Sequence, residues 1–184
     1  MMHTKTTSST EDESEALLRR AEHVLAPTYA RPPILFENGR GATLIDSAGR
    51  EYLDMTSGIA VTALGHGSEV VSQMLEHAGR GLIHTSNLFH TKPAIELASL
   101  LVERSFADKV FFANSGAEAV EGAIKFARLR GGGERRRIVS FSGSFHGRTL
   151  GALAATDHPE YQDPFRPLPE GFEQAPFGDD HLEM

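Results

Sequence analysis

The sequence predicts an α/β fold: a partial parallel sheet with crossing helices, preceded by a small antiparallel segment. Three observations predict it. Residues 109–142 run from a short apolar stretch (KVFFAN) through a patterned helical stretch and a triple glycine to a second apolar stretch (IVSFS). That order and spacing is the pattern of a βαβ unit, which requires a parallel pair. Residues 34–55, ILFENGRGATLIDSAGREYLDM, alternate short apolar runs with Asn38-Gly39, Gly41 and Ala48-Gly49, as an antiparallel meander with tight turns does. Finally, the step from KVFFAN into the next helix passes through Asn114-Ser115-Gly116-Ala117, with almost no side-chain bulk.

The elements follow in order. Residues 1–13 are polar and then acidic, and are expected to form a disordered tail. Residues 14–26 carry Leu17, Leu18, Ala21 and Leu25 on one side, and Pro27 ends that helix. After the meander, GIAVTALGH (58–66) is rich in small residues and reads as an irregular loop. Helical spacing returns at 68–80, with Ser68 placed to cap it, and at 93–104. In the second of these Ile95, Ala98, Leu101 and Val102 share a face, and Pro93 suits the first turn. A strand is expected at 109–114, a helix from Gly116 to near Arg130, and a strand at 138–142. The stretch after Thr156 is rich in Pro and aromatics and is expected to wrap the surface in extended form. The boundary between the N-terminal helix with its antiparallel segment (14–66) and the α/β part (67–184) is placed after His66.

Composition narrows the function classes. A hydrophobic content of 40% supports a real core, and a formal charge of −7 speaks against nucleic acid as the main partner. Cysteine is absent, which removes disulfides and thiolate metal sites. No run approaches the ~18 apolar residues of a membrane span. The N-terminus lacks the apolar region of a signal peptide, and its acids disfavour a transit peptide, so a cytoplasmic protein is expected. His84 and His90, six apart, lack helical ligand spacing, and no metal site is expected. GSFHG lacks the flanks of a hydrolase elbow around Ser144.

The bare junction at 114–117 has a chemical use. The first N–H groups of a helix have no intrahelical partner, and that end carries partial positive charge. Phosphate binds there if side chains leave room. Ser115 can cap the helix or touch the phosphate, and Gly116 lets the backbone come close. A capped amphipathic helix after a strand satisfies the same spacing, with Ala117, Val120, Ile124 and Ala127 buried. Glu118, Glu121, Lys125 and Arg128 would then form the wet face, with Glu121 and Lys125 paired at i,i+4. Neither GxxxxGK[ST] nor GxGxxG is present. The second constellation is Phe145-His146-Gly147-Arg148-Thr149, directly after a strand, where open α/β sheets place ligands. An aromatic there can stack on a flat ring, and an arginine can hold a carboxylate through two parallel hydrogen bonds.

In order along the chain, GIAVTALGH, HTSNLFHTKPAIELASLLVERSFADKVFFANSGAEA, AIKFAR, SFHGRTLGALAAT and PLPEGFEQAPFGD resemble the class III pyridoxal-phosphate aminotransferases. The resemblance implies the type I fold of pyridoxal-phosphate enzymes, here part of a large domain plus an N-terminal small-domain segment. It implies that Gly116 and Ala117 hold the cofactor phosphate through backbone amides, with Ser115 alongside. It further implies that Phe145 covers the pyridine ring and Arg148 binds the substrate carboxylate. His146 points to the branch acting on N2-acetylornithine, which passes its amine to 2-oxoglutarate in arginine biosynthesis. Ornithine transaminases tend to carry Trp at that position and Tyr at the position of Ile59. Enzymes using succinylornithine, ornithine or 4-aminobutyrate stay open as alternatives, as does a non-catalytic remnant that binds phosphate or a partner subunit. The resemblance also implies small amino-acid and 2-oxo-acid substrates, and a homodimer with residues 84–90 near its interface. The family's Schiff-base lysine has no expected counterpart here. Lys5 lies in the tail, Lys92 opens a helix, Lys109 begins a strand, and Lys125 sits on the solvated face. The chain thus reads as the N-terminal portion of such an enzyme. Gly122, inside a helix, is expected to cost ~1 kcal/mol against Ala.

Overall fold

The computed structural model describes residues 6–178; Lys5 and the rest of the first five residues, expected in a tail, lie outside them. The chain divides into two units with the boundary between Phe89 and His90.

The first unit opens with α1 (Thr6–Val24). This helix starts ahead of Ser14, so residues 6–13, expected in a tail, belong to it. Glutamate is a good helix former, and the acidic run therefore propagates the helix rather than ending it. The meander forms as expected from β1 (Phe36–Arg40), β2 (Thr43–Asp46) and β3 (Glu51–Leu53), in antiparallel order β1-β2-β3. A register irregularity falls between Phe36 and Asn38. The rings of Phe36 and Tyr52 meet edge to face at 5.3 Å across the sheet.

Two carboxylates organise this unit. The Asp46 side chain accepts from the Ala48 and Arg50 backbone amides (3.0 and 2.8 Å), from Arg50 Nε (2.7 Å) and from Tyr52 Oη (3.0 Å). Burial alone would raise its pKa, but the bonds from Arg50, Tyr52 and Ala48 together hold it below the ordinary value. Asp54 Oδ1 accepts from Thr56 N and Oγ1 and from Ser57 N, while Oδ2 meets His66 Nε2 at 2.8 Å. Gly41 and His66 exchange backbone hydrogen bonds, which ties the 58–66 loop back to the meander. Between Asp54 and that tie lies α2 (Ser57–Ala60), a single turn in which Ser57, Gly58, Ile59 and Ala60 all have φ between 49° and 63°. Positive φ at a β-branched isoleucine is a strained conformation, and Asp54 is the side chain that grips its leading end. Helix α3 (Glu69–Gly79) begins after Ser68, whose side chain makes no capping bond, contrary to expectation; its carbonyl instead receives Ser72 N.

The second unit contains α4 (Lys92–Glu103), α5 (Gly116–Arg130), β4 (Ile138–Phe141), α6 (Leu150–Ala155), α7 (Pro159–Gln162), a 3₁₀ turn (Asp163–Phe165) and β5 (Phe172–Ala175). The parallel pair is present, but its members differ from those expected. β4 pairs with β5, Ile138 opposite Phe172 and Phe141 opposite Ala175. FEQA has little intrinsic strand preference, so the tail read as a surface wrap gave no local sign of it. Its strand character comes from the ladder itself. Residues 109–113, expected as a strand, have no ladder partner among the described residues. They pack against α5 instead: the rings of Phe111 and Phe126 meet edge to face at 5.8 Å. A Cβ on Gly122 would come within 2.9 Å of the Phe111 ring, so the helix-interior glycine is a packing site.

The core of this unit sits on α6. Ala152, Leu153, Ala154, Ala155 and Thr156 are buried, together with Ile124 of α5, Ser140 of β4 and Ala175 of β5. Arg128, expected on a wet face, instead ties α5 to β5. Its guanidinium donates to the Glu170 carbonyl (2.7 Å) and lies 5.1 Å over the Phe172 ring.

The first unit carries a pH prediction. The Asp54 carboxyl is held down to about 2 from 3.8, chiefly by its hydrogen bond with His66 and then by Thr56 and Ser57. A depressed carboxylate stabilises the fold fully above its unfolded value, and that contribution disappears as pH falls through its folded value. Melting temperatures measured from pH 5 to 2 should therefore show wild type losing its advantage over Asp54→Asn between pH ~4 and ~2. A difference between the two that is constant across this range would contradict the assignment.

Candidate functional site

The site is built on the first two turns of α5. Ser115 is the N-cap, with extended backbone (φ −149°, ψ 160°), and its Oγ accepts from Glu118 N at 3.2 Å. The Glu118 carboxylate reaches back, accepting from Asn114 N (2.9 Å), from Asn114 Nδ2 (3.4 Å) and from Ser115 Oγ (3.2 Å). This is a reciprocal cap. Those bonds, the Asn114 side chain first, hold the Glu118 carboxyl below its ordinary pKa against a smaller effect of burial. Glu118 therefore belongs to the cap and not simply to a solvated face.

The cap leaves the middle of the turn clear. Gly116 has nothing within 4 Å of where a Cβ would stand. The N–H groups of Gly116 and Ala117 belong to the first turn, where a helix offers them no carbonyl. A phosphate fits this donor set: two main-chain amides, the positive end of a 15-residue helix, and no side chain over the glycine. Ser115 Oγ is adjacent but is engaged with Glu118.

The second constellation comes to the same place. Gly147 is buried with φ 138°, and a Cβ there would stand 2.9 Å from the Ala117 Cβ and 3.0 Å from the Ala152 Cβ. Only a glycine lets the loop press this closely onto the start of α5. From there Phe145 projects outward, 54% exposed, with the Arg148 guanidinium 5.9 Å from its ring centroid and 5.4 Å from that of Tyr161. His146 is half-buried. Its backbone N donates to the buried Thr156 Oγ1 (2.9 Å), and the residue lines a cavity of about 280 Å³ with Val120, Ile124, Ile138 and Ala155. The loop is fastened further by Asp157, whose carboxylate accepts from Gly143 N (2.9 Å) and whose N donates to the Ser144 carbonyl (3.0 Å).

Sequence reasoning missed two participants. Glu121, expected on the wet face beside Lys125, instead turns to α6. Its Oε1 accepts from Thr149 Oγ1 (2.6 Å), Gly151 N (3.1 Å) and Ala152 N (3.3 Å). The partners lie about thirty residues downstream, so no local pattern could have signalled them. Tyr161 is the other addition, and it too is contributed by a distant element, α7. As for the lysines, Lys92 meets Glu96 at 3.5 Å on an exposed face, and Lys109 and Lys125 are exposed. Among the described residues, no group of three or more His, Asp or Glu side chains is arranged to hold a metal, and no helix is long and apolar enough to cross a membrane.

Comparison with known proteins shows the family. Residues 24–184 match the family model described as Aminotransferase class-III. The chain is 46% identical over 167 residues to an acetylornithine aminotransferase of Methanothermobacter thermautotrophicus, covering 91% of this chain and 42% of that protein. It is 49% identical over 158 residues to the acetylornithine aminotransferase of Methanocaldococcus jannaschii, covering 82% and 39%. A crystal structure of an (S)-enantioselective omega-transaminase from Thermomicrobium roseum superposes with a TM-score of 0.80 at 31% identity, over 88% of this chain and 40% of that one. The chain thus spans roughly two-fifths of the length of the curated relatives it matches. With its parallel α/β unit, its amide turn and its FHGRT loop, this chain belongs to the class III aminotransferases.

Proposed function

We propose that this chain supplies the phosphate cradle, the ring cover and the carboxylate anchor of a pyridoxal-phosphate-dependent transaminase. Gly116 and Ala117 N–H groups hold the cofactor phosphate, with Ser115 Oγ beside it, and Phe145 lies against the pyridine ring. Arg148 grips the substrate carboxylate, a task for which a planar guanidinium suits better than an ammonium. When bound, the cofactor supplies the electron sink for amino-group transfer, and the protein supplies orientation and electrostatics. Holding phosphate and carboxylate on one rigid frame aligns the amine with the cofactor, a positioning effect worth several orders of magnitude in rate. The amino donor is N2-acetylornithine and the acceptor 2-oxoglutarate, by analogy with the acetylornithine aminotransferases at 46–49% identity. A donor with a different ω-amine is the second reading, favoured by the 31% identity to the omega-transaminase. The setting is the cytoplasm, and the working form is a homodimer. No lysine of this chain is assigned a catalytic role.

One observation supports the reading: Gly147 packs on Ala117, which brings the backbone of the FHGRT loop onto the first turn of α5. Equilibrium dialysis of the 184-residue chain tests it. Pyridoxal phosphate should bind at least about tenfold more tightly than pyridoxal, and Gly116→Val should remove that preference, because helix-terminal amides recognise the phosphate. Equal binding of the two vitamers, or a Gly116→Val chain that keeps the preference, would contradict the proposal. Gly147→Ala forces a Cβ into Ala117 at a backbone angle that suits glycine. It should cost about 1–3 kcal/mol in a urea titration and weaken carboxylate binding with it. A neutral Gly147→Ala would mean the two constellations are not held together at this contact.

A further inference from the structure

We propose that Glu121 is a positioning residue for Arg148, and that α5 acts as a ruler between the phosphate cradle and the carboxylate anchor. The inference rests on the assignment of Arg148 as carboxylate ligand. Arg148 lies between two attachments to the same helix. On one side Gly147 packs on Ala117. On the other, Thr149, the N-cap of α6, makes no capping bond with its own side chain, and the cap comes from α5 instead. Glu121 Oε1 takes the Thr149 hydroxyl at 2.6 Å and the Gly151 and Ala152 amides at 3.1 and 3.3 Å. A Cβ at Gly151 would stand 2.6–2.9 Å from that carboxylate, so the sequence keeps a glycine where the acid must enter. Ala117 and Glu121 are four residues apart and therefore share one face of the helix. The backbone on both sides of Arg148 is thereby referred to a single rigid element, whose first-turn amides are the proposed phosphate donors. Loss of Glu121 should leave those amides untouched and let the guanidinium wander.

The test uses two probes on the 184-residue chain, glutarate for the carboxylate anchor and inorganic phosphate for the cradle, each titrated by NMR. Glu121→Ala should weaken glutarate by about tenfold or more while phosphate changes by less than about twofold, since misplacing one binding group leaves the other in register. Glu121→Gln, which keeps an acceptor oxygen, should recover most of the glutarate affinity. Thr149→Val, which removes the donor with little change of shape, should reproduce the loss and carries the test if Glu121→Ala does not fold. Unchanged glutarate binding in Glu121→Ala or Thr149→Val, or an equal fall for both probes, would overturn the positioning role. Arg148→Ala separates the two levels. If it abolishes glutarate binding while Glu121→Ala does not, this inference alone fails. If Arg148→Ala is without effect, or wild type binds no glutarate, the assignment of Arg148 fails and takes this inference with it.

Discussion

The site depends on a close approach between two backbones. Gly147 has no side chain, and Ala117 has the smallest one, so the loop after β4 can lie directly on the first turn of α5. Larger residues at either position would hold the loop, and the ring and guanidinium it carries, away from the start of α5. The contact is supported from below. Thr156, fully buried, accepts from His146 N and donates to the Ala152 carbonyl, while Gln162 Nε2 donates to the carbonyls of Thr156 and Leu153. The alanine-rich helix α6 thus sits at the centre of the unit, where its small side chains allow neighbours on several sides to approach.

Charge placement follows the same frame. Two carboxylates of α5 serve helix N-termini, Glu118 its own and Glu121 that of α6, each where unpaired N–H groups and the helix dipole favour an anion. Glu118 takes the Asn114 amide and side chain and the Ser115 hydroxyl, and leaves the first-turn N–H groups of Gly116 and Ala117 uncovered. The cations are distributed differently. Arg128 is spent on tying α5 to β5, whereas Arg148 is displayed over two aromatic rings. Aromatic faces attract a guanidinium through the ring quadrupole, so stacking on Phe145 and Tyr161 helps hold Arg148 in place.

Much of this was legible in the sequence, and the exceptions share a cause. Helices α3, α4 and α5 were marked by their apolar spacing and by Pro93, and the meander by its turn residues, because those signals are local. The KVFFAN stretch has strand-forming residues, yet a strand exists only with a partner, and Phe111 found α5 instead. FEQA has the opposite history: poor strand formers became β5 because β4 offered a ladder. The cofactor-binding candidates at 115–117 and 145 and the substrate-binding candidate at 148 could be named from motif text, but Glu121 and Tyr161 could not, since their contacts span about thirty and thirteen positions. The apolar face of α4 was equally readable, and no residue of that helix is buried among the described residues. Amphipathic spacing states that a face is meant to be covered and is silent on what covers it.

The central claim is that main-chain amides at the start of α5 and the ring of Phe145 form one cofactor site. Amide and aromatic NMR shifts recorded while pyridoxal phosphate is added to the chain test it most directly. The account predicts that Gly116 and Ala117 N–H signals and the Phe145 ring signals move together along a single saturation curve. Shifts that leave Gly116 and Ala117 still, or that follow a different curve at Phe145, would contradict it.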